Sequence, residues 1–111
     1  MSELNTLQQR IRDGLLFDSY SSLISKKQYA ACEMILLQDL SFSEAAEKIG
    51  VSRQGVHDLL TRAREHMENY EISLRLLEKN SRIAEIKKLL EINKDCIPSN
   101  FYNQIKSLLI K

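Results

Sequence analysis

Punctuation is scarce in this sequence. Three glycines and one proline in 111 residues cannot supply the turn every ten residues or so that a β-sandwich or barrel requires. A hydrophobic share of 43% with 28% charged residues is too apolar for a disordered chain and ordinary for a globular one. Apolar runs never exceed three or four residues, so no segment can span a bilayer. The opening MSELNTLQQRIRD lacks the charged-then-apolar pattern of a signal peptide, and the expected compartment is the cytoplasm. Cys32 and Cys96 lie far apart and are expected to be reduced, mostly buried thiols. Charge of one sign is missing too. Sixteen Lys and Arg face fifteen Asp and Glu, so any nucleic-acid contact must come from a few well-placed cations. The most basic stretch, residues 80–111, holds six cations against three acids, while residues 41–79 hold six against seven.

The pattern that is present is helical throughout. Leu4, Leu7, Ile11, Leu15 and Leu16 recur at three- and four-residue steps, continued by Phe17, Tyr20, Leu23 and Ile24. They predict a first helix over about residues 3–22. Ser25 to Gln28 has the form of a capping box and opens a second helix with Tyr29, Cys32, Ile35 and Leu36 inward, ending near Gln38-Asp39. Ser41 or Ser43 caps a short third helix with Ala45, Ala46 and Ile49 inward. Gly50 ends it where a left-handed backbone is needed. Ser52 caps a fourth helix whose apolar side carries Val56, Leu59, Leu60 and Ala63. With no breaker before Asn80, this helix is expected to run about 25 residues. Ser81 would cap a fifth, Pro98 breaks the pattern, and Ser99 opens the last.

The stretch from Phe42 to Thr61 carries the functional signal. A helix-turn-helix needs a small residue where its helices meet, a turn residue free to adopt positive φ, and an apolar lock in the second helix. Ala46, Gly50 and Val56 meet these needs, with Ile49, Val51 and Leu59 filling the remaining core slots. Such an arrangement turns Ser52, Arg53, Gln54, His57, Asp58, Thr61 and Arg62 outward, where they can enter a major groove. Arg pairs bidentately with guanine and Gln with adenine. Ser52 and the free N–H groups at the helix start suit a phosphate, and Lys27 is a further phosphate contact. The competing reading is an αα-corner in a plain bundle, its polar face merely wetted.

Several blocks together resemble the YlxM family, also called UPF0122. These are Leu16-Phe17-Asp18-Ser19-Tyr20, Ser25-Lys26-Lys27-Gln28-Tyr29, Leu40-Ser41-Phe42-Ser43-Glu44, Val51-Ser52-Arg53-Gln54-Gly55-Val56 and Tyr70-Glu71. The resemblance covers about residues 12–77. It implies an all-α fold, a three-helix helix-turn-helix core like sigma-factor region 4 with additional N- and C-terminal helices. It also implies a DNA-binding or regulatory protein linked to the signal recognition particle pathway, and it allows a homodimer. Family recognition residues carry over only to Ser52, Arg53 and Gln54. Gly55 and His57 stand where the family pattern leads one to expect Ala and Tyr, and Gly55 lowers helix stability near the tip of the recognition helix.

Residues 1–79 are thus expected to form the DNA-binding domain, and 80–111 a helical hairpin that packs back or dimerises. Leu74, Leu76, Leu77, Ile83, Ile86, Leu89 and Leu90 are more apolar surface than a small core can cover, which favours the dimer. Catalysis is not expected. His57 and His66 lie nine residues apart with no cysteine at ligand spacing, and Gly14, Gly50 and Gly55 form no phosphate loop. No metal, cofactor or membrane contact follows from the sequence. Two partner readings remain: double-stranded DNA, or components of the signal recognition particle bound by a protein- or RNP-binding adaptor without sequence-specific DNA contacts.

Overall fold

The computed structural model describes residues 3–109. Its six α-helices are α1 (Glu3–Tyr20), α2 (Lys26–Cys32), α3 (Phe42–Ile49), α4 (Arg53–Leu74), α5 (Leu76–Ile92) and α6 (Ser99–Leu109), and no strand occurs among the described residues. The fold is all-α with a helix-turn-helix at α3–α4, as the sequence implied. The chain forms two compact units, one running to Arg75 and the other starting at Leu76.

Caps set the helix starts. Gln28 N donates to Ser25 Oγ and Ser25 N to Gln28 Oε1, both at 3.1 Å. Ser41 and Glu44 repeat the reciprocal pair at 3.1 and 2.9 Å, so Ser41 and not Ser43 is the cap. Each such cap stabilises its helix by about 1 kcal/mol. Past α2 the helix widens into a π turn over Glu33–Leu37, closed by Gln38 N donating to Glu33 O at 3.0 Å. Asp39 then takes a left-handed φ of 54°.

The long fourth helix ends earlier than its sequence suggests. Arg75 adopts φ 55°, ψ 38° and donates its N–H to Glu71 O at 2.9 Å. The break expected at Asn80–Ser81 lies inside α5, and the units divide at 75/76 rather than at 79/80. Nothing local announces this stop, because arginine is an uncommon left-handed residue.

In the N-terminal unit α4 packs against α1, α2 and α3. Leu16, Phe17 and Tyr20 of α1, Ala31 and Cys32 of α2, and Ala63 and Met67 of α4 are buried. Only part of the expected stripe on α1 is buried: Leu16, Phe17 and Tyr20 face inward as expected. Leu7, Ile11 and Leu15 are 57%, 57% and 49% exposed, whereas Asp13 is buried at 7%. The side chain of Leu4 lies outside the described residues. A buried carboxylate needs a partner, and Arg64 supplies one in bidentate form, Nε to Oδ1 at 2.9 Å and Nη2 to Oδ2 at 2.8 Å. Gln9 adds a third donor at 2.9 Å. Arg12 reaches Glu68 at 2.8 Å, and Arg10 donates to Ile35 O at 2.9 Å. These bonds fix which side of α1 faces inward.

The Cys32 thiol is pushed up to about 11 by burial and, second, by the charge of Asp13. Cys96 is exposed, contrary to expectation, and both cysteines are free. In the C-terminal unit α5 and α6 pack on each other across the short 3-10 turn Lys94–Cys96. Only Leu90 and Tyr102 are buried there among the described residues. Tyr102 donates its hydroxyl proton to Glu91, and Lys94 and Lys106 lie 5.3 and 5.4 Å from its ring centroid.

Candidate nucleic-acid interface

The turn between α3 and α4 is built by three residues. Ala46 is 6% exposed, and its carbonyl accepts from both Gly50 N at 2.8 Å and Val51 N at 3.1 Å. Gly50 holds φ 86°, ψ 34°, which a side chain would strain. Val56 is fully buried with Ile35, Ala45 and Ala46, and Met34, Phe42, Ile49, Val51 and Leu60 pack around them. Leu60 occupies the core slot expected for Leu59, which is half-buried outside this cluster.

Ser52 caps α4 by accepting from Gly55 N at 2.9 Å. Its oxygen is therefore committed as an acceptor while its O–H is still able to donate. The amides of Arg53 and Gln54 begin the helix and have no helical acceptor. Gly55 suits the tight start. A Cβ there would sit 3.2 Å from both Ser52 Oγ and Val51 Cβ, so an alanine would press on the cap.

From this start Ser52, Arg53, Gln54, His57, Asp58 and Arg62 are exposed and Thr61 is half-buried. Gln54 Nε2 donates to Asp58 Oδ1 at 3.0 Å. Thr61 Oγ1 donates to His57 O at 3.0 Å, which ties its hydroxyl to its own helix. The His57 ring stands edge-on to Phe42 of α3, centroids 5.8 Å apart. Arg53 and Arg62 make no hydrogen bond or ion pair among the described residues, so their guanidiniums are available. Asp58, Thr61 and Arg62 border a shallow polar hollow with Glu65 and His66. Lys27 is exposed on the first turn of α2 and shares no hydrogen bond with the tip.

Two features were missed in sequence. One is the Gln54–Asp58 bond, for which the four-residue spacing on one helix face was a usable signal. The other is a groove of about 450 Å³ whose apolar floor is Ile35, Leu36, Phe42 and Leu60 and whose rim includes His57 and Arg64. It depends on contacts between distant segments and has no local signature. No set of three or more His, Cys, Asp or Glu side chains among the described residues is placed to hold a metal ion. No described helix is long and apolar enough to cross a membrane.

Comparison with known proteins places this geometry. Residues 7–108 match the family model described as "UPF0122: Putative helix-turn-helix protein, YlxM / p13 like". A UPF0122 protein of Staphylococcus epidermidis is 35% identical over 106 residues, covering 94% of this chain and 96% of the relative. One from Caldanaerobacter subterraneus is 42% identical over 83 residues, covering 75% and 68%. One from Shouchella clausii is 41% identical over 88 residues, covering 76% and 81%.

Proposed function

The chain belongs to the UPF0122 family of YlxM / p13-like helix-turn-helix proteins, and from that premise we propose that it binds double-stranded DNA through the first turns of α4 and acts as a transcriptional regulator in the cytoplasm. The observation that carries this reading is the exposed tip of α4, with Arg53 and Gln54 side by side and the lock residue Val56 fully buried beneath them. Arg53, Gln54 and His57 are the base-reading residues, with Asp58 and Thr61 on the same face. Ser52, the first amides of α4, Arg62 and Lys27 hold phosphates. A helix start with free amides attracts an anion through its aligned peptide dipoles.

The cations are few, so one copy neutralises few phosphates and binds weakly with a shallow salt dependence. Two copies remedy this. A two-fold homodimer sets its recognition helices about 34 Å apart, one helical turn of DNA. The exposed Ile83, Ile86, Leu89, Phe101 and Leu108 of the C-terminal unit support self-association there. Selection from random duplexes at two salt concentrations tests the proposal. It expects an enriched motif, and Arg53→Ala is expected to cost about 1–3 kcal/mol and relax one base pair. Recovery of no motif at either salt overturns it.

The near-neutral net charge of +1 favours a second reading, an adaptor that touches the signal recognition particle and makes no sequence-specific DNA contact. Retention of that particle by a chain lacking residues 80–111 would argue against contacts through the C-terminal helices.

A further inference from the structure

Resting on the duplex-binding role of α4 just proposed, we infer that Asp58 is a positioning residue: its carboxylate turns the Gln54 carboxamide so that one edge of the amide is presented for reading adenine. A primary amide has one acceptor oxygen and two N–H bonds. The edge complementary to adenine is the oxygen, which accepts from N6–H, together with the adjacent N–H, which donates to N7. The second N–H points away from that edge and is left for the protein to hold.

Asp58 holds it. Gln54 Nε2 lies 3.0 Å from Asp58 Oδ1. A carboxylate oxygen accepts and does not donate, so the amide nitrogen and not the amide oxygen faces Asp58. The two residues are one helical turn apart, both exposed, on the face that also carries His57 and Thr61. Arg62 is likewise one turn from Asp58 on the other side, yet the carboxylate is engaged by Gln54 and Arg62 forms no ion pair among the described residues. The charge of Asp58 is telling as well. An acid at a surface that must approach phosphates lowers affinity for every sequence. Its place at the tip is accounted for by orientation of its neighbour, since it gives up general affinity for discrimination at one base pair.

The test uses the full-length protein, a random duplex library and four variants: Asp58→Ala, Asp58→Asn, Gln54→Ala and the double variant Gln54→Ala/Asp58→Ala. Asparagine keeps an acceptor oxygen and removes the charge. Both Asp58 variants are therefore expected to bind mixed-sequence duplex more tightly. Asp58→Ala is expected to lose adenine preference at one position by about tenfold, within the range a bidentate pair supplies, while Asp58→Asn keeps it. Gln54→Ala loses the preference, and Asp58→Ala adds no further loss on top of it. A merely structural role would move affinity for all sequences together. Adenine preference surviving in Asp58→Ala overturns the inference, as does its survival in Gln54→Ala. A readout without DNA separates this from failure of the duplex-binding proposal. The Gln54 carboxamide proton resonances of the free protein are expected to shift in Asp58→Ala and to be largely retained in Asp58→Asn. Unchanged resonances in Asp58→Ala refute the positioning role even if DNA is bound. A wild-type selection that enriches nothing removes both claims.

Discussion

The two units solve the same problem differently. Among the described residues the N-terminal unit buries eleven apolar ones from four segments, Leu16 and Met67 among them, and pins them with ion pairs that join residues about fifty positions apart. The C-terminal unit is a pair of helices that buries Leu90 and Tyr102 and leaves Ile83, Ile86, Leu89, Ile92, Phe101 and Leu108 between 40% and 83% exposed. Two helices cannot enclose a core, and a unit this short falls below the size at which a chain folds on burial alone. The first unit thus has a core of its own, and the second leaves most of its apolar side chains exposed. A packed platform for α4 and an exposed apolar surface sit in one short chain.

The strongest way to break this contrast is to cut equal volumes from the two cores. Leu16→Ala, at a fully buried site, is expected to destabilise the N-terminal unit by about 2–5 kcal/mol. Leu90→Ala is expected to leave the protection of α1 to α4 unchanged while exposing α5 and α6. Native-state hydrogen exchange on both variants checks this, and protection falling equally in both units would erase the distinction. Next in size, Asp13→Ala leaves Arg64 without its carboxylate. Arg64 retains partial access to water, so the expected loss is about 2–3 kcal/mol, below the full range for a buried pair, seen as a lower urea midpoint. The proposed self-association through the second unit is tested by Leu89→Lys. If that surface joins two copies, sedimentation should show at least about tenfold weaker self-association, the effect of placing one charge in an apolar contact. An unchanged dimer would move the interface elsewhere, and the exposed Leu7, Ile11 and Leu15 of α1 become the next place to look.

The smallest effect separates two caps of identical design. Ser25 pairs with neutral Gln28 and Ser41 with Glu44. The Glu44 carboxyl is held below the ordinary range first by its hydrogen bond from the Ser41 amide. A depressed carboxyl stabilises the fold above its unfolded pKa, and that contribution disappears as pH falls through its folded value. Amide exchange at the start of α3 is expected to quicken on acidification, while the start of α2 does not respond through its own cap. Glu44→Gln should abolish the difference.

Sequence reading served best where the causes are local. Ser25, Ser41, Gly50 and Ser52 act on residues within four positions of themselves, and each does what its type and spacing imply. The Ala46–Gly50–Val56 framework was legible for the same reason. Asp13 was not, because its burial follows from Arg64, 51 residues away, and of the expected stripe on α1 Leu16, Phe17 and Tyr20 face inward while Leu7, Ile11 and Leu15 do not. Arg75 and Asp39 were missed because both adopt positive φ without being glycine. At the candidate interface the outward residues follow from helical geometry once Val56 is placed. The bonds that commit Gln54 and Thr61 depend on rotamers that spacing alone does not choose.

The π turn at Glu33–Leu37 also bears on how this chain tolerates changes of length. One residue more than an ordinary turn requires is stored there, so a deletion within it can be absorbed by closure to α-helix, with Ser41 still delivered to the start of α3. Losing a residue between Arg53 and Val56 has no such reserve. It would rotate the tip by about 100° relative to its anchor and carry Arg53 and Gln54 off the outward face. A single deletion within Glu33–Leu37 should therefore be tolerated better than one between Arg53 and Val56.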